Sequence, residues 1–156
     1  MQLSDVIDPE RVALDISVSS KKSLLEKAAE LLARSPNSSQ RREIFESLCQ
    51  RERLGSTGLG HGVAIPHGRV QSQNSVTGAV IRLRKAIDFD APDQEKVDLF
   101  FALSVPDECS DVYLKLLADV AARFGDSNHR QKMRDVEAAE DLMKLFKTEA
   151  DAPAAT

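Results

Sequence analysis

Two stretches in the first third of the chain repeat apolar residues with a helical period. The first predicts a helix over residues 21–34, which begins after Ser19-Ser20 and is broken by Ser35-Pro36-Asn37. The second predicts a helix over residues 38–54, where a serine at the start can cap the first turn. The apolar positions are Leu24, Leu25, Ala28, Ala29, Leu31 and Leu32 in the first helix, and Ile44, Phe45, Leu48 and Cys49 in the second.

The helical period returns in the last third of the chain. It predicts a third helix over residues 112–124, stopped by Gly125-Asp126, and two shorter helices near residues 130–134 and 138–146. The apolar positions of the third helix are Val112, Leu114, Leu116, Leu117, Val120, Ala121 and Phe124.

Between these helices, three runs have the composition of β-strands. Residues 63–65 form a short run closed by Pro66, residues 76–83 form a second, and residues 97–105 form a longer apolar run. We expect the last run to be central in the sheet and buried on both faces. We also expect a short extra strand around residues 87–89. The order of elements predicts an α/β fold, a single domain with a small mixed β-sheet flanked by helices.

Length and composition narrow the class of protein. A chain of 156 residues with 42% hydrophobic residues fits one globular domain, which we expect at residues 1–148, followed by a disordered tail at residues 149–156. The net charge of −4 argues against a general nucleic-acid binder. No apolar run approaches the ~18 residues of a membrane span, and the first residues form no signal peptide, so we expect a cytoplasmic protein that is not embedded in a membrane.

The cysteines give little support to a disulfide framework. Cys49 lies in a helical pattern and Cys109 beside a turn, so we expect both to be reduced thiols and Cys49 to have a packing role. An aromatic content of 4% leaves little material for stacking nucleic-acid bases and predicts an aliphatic core.

Residues 51–69 concentrate reactive and backbone-permissive residues. This segment holds five of the seven glycines and two of the three histidines. From Arg53 to Ile87 there is no acidic residue, whereas five basic residues occur: Arg53, Arg69, Arg82, Arg84 and Lys85. Glycine allows a backbone to approach a ligand closely, and the local positive charge suits a small anion. The segment therefore predicts an anion-binding site with a nucleophile.

His67 is the candidate nucleophile. It follows Pro66 and precedes Gly68, so we place it at a strand end. Pro66 restricts the backbone before the imidazole, and Gly68 leaves open space after it. Imidazole accepts a phosphoryl group through one nitrogen while a hydrogen bond to the other fixes the tautomer, although the sequence leaves open which nitrogen attacks. Backbone amides of the glycine-rich loop, with Arg51 or Arg69, could stabilise the charge on the three phosphoryl oxygens.

We expect no chemical role for the other two histidines. We expect His61, which lies between two glycines, to be a loop residue, and His129, which lies among polar residues at a predicted helix start, to be solvated.

Competing motifs fail on spacing. No Gly-Lys pair supports a nucleotide phosphate loop, and the Gly58-Leu59-Gly60 segment follows a helix rather than the strand that a dinucleotide loop requires. A zinc site would need ligands beyond His61 and His67, so we expect no metal and no cofactor. Ser56 and Thr57 lack a serine-hydrolase context, and we expect them to cap or hydrogen-bond the loop rather than act as nucleophiles.

The motifs together resemble a known family. Residues 51–60 (Arg-Glu-Arg-Leu-Gly-Ser-Thr-Gly-Leu-Gly) and 64–68 (Ala-Ile-Pro-His-Gly) strongly resemble enzyme IIA of the bacterial phosphotransferase system, mannitol/fructose type. Similarity extends over roughly residues 3–148, and the Leu-Gly-Ser-Thr-Gly form of the loop resembles the nitrogen-regulatory branch. The resemblance implies a mannitol-type IIA fold.

The resemblance also implies a function. His67 would be phosphorylated by a histidine phosphocarrier protein of the NPr or HPr type, and Arg51 would help to bind the phosphate. The phosphorylation state would report to potassium-transport or sensor-kinase partners, with no independent metabolic reaction expected. We predict that further contacts to the phosphoryl group come from Gly55, Ser56, Thr57, Gly68, Arg69 and Tyr113.

Two positions depart from the family pattern. Tyr113 matches a position where many members carry a second histidine, and Arg69 matches one where lysine is common. A tyrosine can donate a hydrogen bond to phosphate but does not titrate near neutrality. Tyr113 therefore keeps open a binding module of the same fold that transfers no phosphate. A sugar-specific IIA protein that passes phosphate to a IIB domain is a separate alternative.

Overall fold

The computed structural model describes residues 3–33, 38–71, 75–107 and 111–146. The predicted tail at residues 149–156, the predicted helix break at residues 35–37 and Cys109 lie outside these ranges.

The helices agree with the predicted periodicity. They are α1 (Leu3–Val6), α2 (Lys21–Leu32), α3 (Ser38–Arg53), α4 (Asp111–Gly125), α5 (Ser127–Asp135) and α6 (Ala139–Lys144). The sequence predicted α2 to α6 and missed α1 and a single helical turn at Pro9–Arg11. Ser20 caps α2 by accepting a hydrogen bond from the Ser23 amide, and the Ser23 hydroxyl accepts one from the Ser20 amide in return.

The strands form one mixed sheet. They are β1 (Val12–Ile16), β2 (Gly58–Gly60), β3 (Val63–Ala64), β4 (His67–Arg69), β5 (Thr77–Ile87) and β6 (Val97–Val105). In spatial order the sheet runs β1-β5-β6-β3-β2, and β4 also pairs with β6. Strand β6 is antiparallel to β5 and parallel to β3 and β4.

Helices cover both faces of β6. Phe100 and Ala102 pack into a cluster with residues of α2 and α3, such as Leu48. Leu99 and Phe101 pack into a second cluster with residues of α4, such as Phe124. The prediction of a central strand buried on both faces is confirmed, as is the α/β class, because alternate residues of an apolar strand point to opposite faces.

Two predictions about strands are wrong. His67 is not at the end of the strand that contains Val63; that strand stops at Ala64, and His67 begins a separate strand, β4. The break lies at residues 65 and 66. The Ile65 amide donates a hydrogen bond to Thr57 O at 3.1 Å. Pro66 has no amide proton to donate, and its carbonyl accepts a hydrogen bond from Leu103 N at 2.9 Å. No separate strand forms at residues 87–89, because β5 continues to residue 87. Strands β1, β2 and β4 were not predicted.

The prediction that His129 is solvated is also wrong. Its side chain is buried, with a residue exposure of 4%, and its ring packs edge-on against Phe146 at 5.9 Å between ring centroids. The polar neighbours of His129 in the sequence were misleading, because α5 turns its side chain towards the apolar cluster that contains Phe124 and Phe146.

Candidate functional site

The imidazole of His67 is held by a hydrogen bond to its own chain. Nδ1 lies 2.7 Å from the carbonyl oxygen of Ile65. A carbonyl only accepts, so Nδ1 is the protonated nitrogen and Nε2 keeps its lone pair. Burial lowers the pKa of His67; the Ile65 hydrogen bond and the charge of Glu52 oppose this, and the charge of Arg51 adds to it. The ring is therefore neutral at pH 7, with Nε2 available as a nucleophile.

Close packing of β4 on α3 positions His67. A Cβ added to Gly68 would collide with Ser47 Oγ and lie 3.1 Å from the Ser47 carbonyl carbon. The Ser47 hydroxyl donates to the backbone carbonyl of Arg69 at 2.7 Å. The absence of a side chain at Gly68 thus lets the strand that carries His67 lie directly against the helix that carries Arg51.

Arg51 occupies the last turn of α3. Its Nη1 donates to the carbonyl of Gly55 at 2.9 Å, which closes the turn between helix and loop. Its guanidinium is close enough to act electrostatically on both His67 and Tyr113. Arg51 therefore lies near both His67 and Tyr113, and its role in binding phosphate stays a prediction.

Tyr113, in the first turn of α4, lies beside the imidazole. Its ring centroid is 5.8 Å from that of His67, with a tilt of 57°. The guanidinium carbon of Arg69 lies 5.2 Å from the Tyr113 ring centroid, and Arg69 Nη1 donates to Asp107 O at 2.7 Å. Burial raises the pKa of Tyr113, against the opposing charges of Arg69 and Arg51, so the phenol stays protonated as a hydrogen-bond donor.

The loop of residues 55–57 uses its polar side chains to hold its own shape. The Ser56 hydroxyl donates to Phe89 O at 2.9 Å, and the Gly58 amide donates back to Ser56 Oγ at 3.1 Å. The Thr57 hydroxyl donates to the buried carboxylate of Glu52. These bonds agree with the predicted loop role of both hydroxyls. The predicted contacts of Gly55, Ser56, Thr57 and Gly68 with a phosphoryl group stay predictions.

Glu52 was missed as a member of the site. It is 8% exposed, and its carboxylate accepts from the Thr57 amide as well as the hydroxyl. Its position was a usable signal, because Ile44, Leu48 and Glu52 recur every four residues and so share the buried stripe of one helix. A carboxylate on such a stripe requires partners.

The basic residues of the acid-free tract do not all gather at His67. The Arg82 guanidinium bonds to Asp15 Oδ1 at 3.0 Å and to three carbonyl oxygens at the end of α5, those of Met133, Arg134 and Val136. Arg84 bonds to the carbonyl of Asp15 at 3.2 Å. Charge along the sequence therefore overstated the positive charge near His67, because Arg69 lies beside Tyr113 whereas the guanidinium groups of Arg82 and Arg84 bond elsewhere.

His61 occupies an exposed turn with a left-handed backbone, at φ 57°. Its amide bonds to Asp93 Oδ2 at 3.1 Å, and its carbonyl accepts from Arg134 at 2.8 Å. Within residues 3–33, 38–71, 75–107 and 111–146, no group of three or more His, Cys, Asp or Glu side chains could hold a metal ion. In the same ranges, no helix combines the length and hydrophobicity needed to cross a membrane.

The half-buried Cys49 has no thiolate character. Burial raises the pKa of its thiol, and neighbouring charges of both signs act on it more weakly. The packing role predicted for Cys49 is in keeping with its place beside the α2 and α3 cluster.

The arrangement suits acceptance of a phosphoryl group. A neutral imidazole presents one lone pair, two guanidinium groups supply fixed positive charge, and a phenol supplies a neutral donor. Transfer of a phosphoryl group depends mainly on positioning and on stabilising charge over its oxygens, and these groups provide both.

Comparisons with known proteins find a family model and relatives that match most of the chain. Residues 5–149 match the family model described as phosphoenolpyruvate-dependent sugar phosphotransferase system, EIIA 2. The chain is 39% identical over 145 residues to the nitrogen regulatory protein of Pseudomonas aeruginosa, a match that covers 93% of this chain and 94% of the relative.

Solved structures give the same relationship. Nitrogen regulatory protein IIA-Ntr from Neisseria meningitidis is similar with a TM-score of 0.87 and 40% identity, covering 93% of this chain and 99% of that one. IIA mannitol from Escherichia coli shares the fold, with a TM-score of 0.69 and 15% identity, covering 90% and 98%. The chain therefore belongs to the EIIA type 2 family of the phosphoenolpyruvate-dependent sugar phosphotransferase system, with nitrogen regulatory proteins as its full-length relatives.

Proposed function

We propose that this chain is a cytoplasmic phosphoryl-accepting regulatory protein, with His67 as the acceptor. The donor is a histidine phosphocarrier protein of the NPr or HPr type, charged by a relay that starts from phosphoenolpyruvate. The observation that carries the proposal is the hydrogen bond from His67 Nδ1 to Ile65 O, since it leaves Nε2 as an unprotonated nucleophile.

The transfer step moves one phosphoryl group between two imidazoles. The Nε2 lone pair of His67 forms a bond to phosphorus as the bond from phosphorus to the donor's ring nitrogen breaks. The donor ring leaves with that electron pair and, because its other nitrogen carries a proton, it leaves as a neutral imidazole. The proton of His67 stays on Nδ1, and its hydrogen bond to Ile65 O stabilises the positive charge that develops on the ring.

Three side chains are assigned supporting roles in the proposal. Arg51 and Arg69 neutralise charge on the phosphoryl oxygens, and the Tyr113 hydroxyl donates a hydrogen bond to one of them. The shared electrostatic influence of Arg51 and Arg69 on Tyr113 supports these roles, because it requires the three side chains to lie near each other.

Exposed apolar side chains around the site support a protein as the donor. Leu54 follows the turn that holds Arg51 and is 84% exposed, and Leu114 is adjacent to Tyr113 and 62% exposed. Val112 and Leu59 are exposed on the neighbouring segments. Apolar residues grouped around a reactive group favour contact with another protein over capture of a small substrate.

The regulatory output is inferred from the relatives. Full-length relatives carry the name nitrogen regulatory protein. We therefore propose that phosphorylation of His67 changes binding to nitrogen- or potassium-related partners, such as potassium-transport or sensor-kinase proteins. A sugar-specific role is the competing function.

The test is phosphorylation in a reconstituted relay. The protein is incubated with phosphoenolpyruvate, enzyme I and the phosphocarrier, and the phosphate is located by mass spectrometry under alkaline conditions, where phosphohistidine survives. We expect one phosphate on wild type and on His61→Asn, and none on His67→Gln. His61→Asn is the matched control, since asparagine tolerates a left-handed backbone. Failure of wild type to gain phosphate, or equal labelling of His67→Gln, would overturn the proposal.

A second measurement separates the regulatory role from the sugar role. Labelled phospho-protein is mixed with a fructose- or mannitol-type IIB domain and with candidate regulatory partners. Retention of the label together with partner binding that depends on phosphorylation supports regulation. Rapid passage of the label to the IIB domain and then to sugar supports the sugar-specific function instead.

A further inference from the structure

A buried carboxylate is hydrogen-bonded to the loop of residues 55–57. The Glu52 side chain is 5% exposed, and its Oε2 lies 3.0 Å from Lys21 Nζ. The amide of Thr57 lies 3.3 Å from each carboxylate oxygen, and the Thr57 hydroxyl donates to Oε1. One carboxylate thus joins α2, α3 and the loop at a single point.

The same cluster holds the preceding loop residue. Lys21 Nζ lies 4.6 Å from the ring centroid of Phe89 and 3.4 Å from its carbonyl oxygen. That oxygen also accepts the hydroxyl of Ser56 at 2.9 Å. Ser56 and Thr57 are therefore fixed by neighbouring parts of one hydrogen-bonded unit.

The loop in turn holds the arginine of the site. Arg51 Nη1 donates to the carbonyl of Gly55, one residue before Ser56. A displacement of residues 55–57 would move the acceptor that orients this guanidinium. The connection runs from Glu52 through Thr57 and the loop backbone to Arg51.

A buried ion pair is not an efficient source of stability. Removing two charges from water costs free energy that their attraction recovers only in part, and apolar replacements are often as stable. A Glu52–Lys21 pair with additional bonds to a loop is better suited to fixing one geometry than to raising stability.

We infer that Glu52 is a positioning residue for transfer to His67: through Thr57 it fixes residues 55–57 and so holds the Arg51 guanidinium at the acceptor. The inference rests on the proposed function. Lys21 balances the charge of the carboxylate, and the Thr57 hydroxyl is the link that can be removed with the smallest change in shape.

The experiment compares matched variants at this link. Thr57→Val removes the hydroxyl and keeps the volume, whereas Thr57→Ser keeps the hydroxyl. Glu46→Gln is the control for α3, because Glu46 is an exposed glutamate of the same helix outside the site. Single-turnover phosphorylation is measured with the phosphocarrier and, separately, with phosphoramidate as a small phosphodonor, after the folded fraction is determined by circular dichroism.

The expected result is a loss in maximal rate rather than in donor affinity. Thr57→Val should lower the rate at saturating donor about tenfold with both donors, the size expected for one lost hydrogen bond to a charged group. Its apparent KM for the phosphocarrier should change by less than about twofold, because the docking surface is untouched. Thr57→Ser should stay within about threefold of wild type, and Glu46→Gln should match wild type.

A rate for Thr57→Val equal to that of Thr57→Ser, once corrected for the folded fraction, overturns the inference. A loss that appears only in KM also overturns it, since that would indicate a docking role.

A measurement without any donor separates this inference from the proposed function. The heteronuclear NMR order parameter of the Arg51 Nε–H group should be high in wild type and Thr57→Ser and lower in Thr57→Val. If wild type accepts no phosphate from either donor, the proposed function fails and this order parameter decides the inference. An unchanged value in Thr57→Val overturns it.

Discussion

The His67 ring donates its Nδ1 proton to the backbone carbonyl of Ile65, two residues earlier in the chain. Pro66 lies between them and favours an extended backbone at Ile65, which fixes the direction of the carbonyl. One local hydrogen bond therefore selects the tautomer of the proposed nucleophile without a separate carboxylate.

This relationship predicts the chemical identity of the phosphorylated species. Phosphate should be attached to Nε2 of His67, because Nδ1 is occupied by its proton and its acceptor. Long-range heteronuclear NMR of the phospho-protein distinguishes the two ring nitrogens directly. A phosphate on Nδ1 would show that the Ile65 hydrogen bond breaks before transfer.

The lowered pKa of His67 predicts a pH dependence of stability. Burial holds the folded-state pKa below the ordinary value of 6.5. As pH falls below about 6.5, the unfolded chain binds a proton before the folded chain does, so the contribution to stability is present above that pH and is lost on acidification. The free energy of unfolding of wild type should fall more steeply than that of His67→Gln between about pH 7 and pH 5. Parallel profiles in urea denaturation would contradict the prediction.

The tyrosine at position 113 predicts a separable hydroxyl effect. Tyr113→Phe keeps the ring beside His67 and removes the donor, so the rate of phosphorylation should fall about tenfold if the hydroxyl bonds to a phosphoryl oxygen. Tyr113→His should transfer phosphate with an added pH dependence near pH 6.5, the ordinary pKa of histidine. Both are measured by single-turnover labelling across pH. Equal rates for Tyr113→Phe and wild type would limit Tyr113 to covering the ring.

The sequence predicted best those elements whose apolar residues recur with a strong local period. The apolar stripe of α3 and the continuous apolar run of β6 specify their own conformation, and the structure contains both. Strand β2, by contrast, reads Gly-Leu-Gly and exists only because it pairs with β3. Because this strand depends on a tertiary contact, the propensities of its own residues could not predict it.

The site shows the same division. The glycines and the Pro-His-Gly motif singled out His67 as the candidate nucleophile through residue type and spacing, and the family resemblance singled out Arg51. The tautomer, the packing of Ser47 on Gly68 and the burial of Glu52 depend on distances between elements. Such distances are set by the sheet register, which composition does not specify.

The packing of β4 on α3 predicts intolerance of a methyl group at position 68. Gly68→Ala should lower the free energy of unfolding by about 1–3 kcal/mol, because the added Cβ would overlap Ser47. Gly125→Ala is the matched control, since a Cβ there meets nothing within 4 Å, and its change should stay within about 1 kcal/mol of zero. Urea denaturation measures both. Equal stability of the two variants would mean that the strand can move away from the helix at little cost.

The two arginines at positions 82 and 69 should separate stability from transfer. Arg82→Met leaves the carbonyl oxygens that Arg82 serves at the end of α5 without their donor, so stability should fall by about 2–5 kcal/mol. Its rate of phosphorylation, corrected for the folded fraction, should stay within about twofold of wild type, because its guanidinium is engaged at α5 rather than at His67. Arg69→Met should do the reverse: Arg69 is exposed, so stability should change by less than about 1 kcal/mol, while the rate should fall about tenfold. Urea denaturation measures the stability of both variants, and single-turnover labelling measures their rates of phosphorylation. A large loss of rate in folded Arg82→Met would contradict the prediction, because it would indicate that Arg82 acts at the anion site.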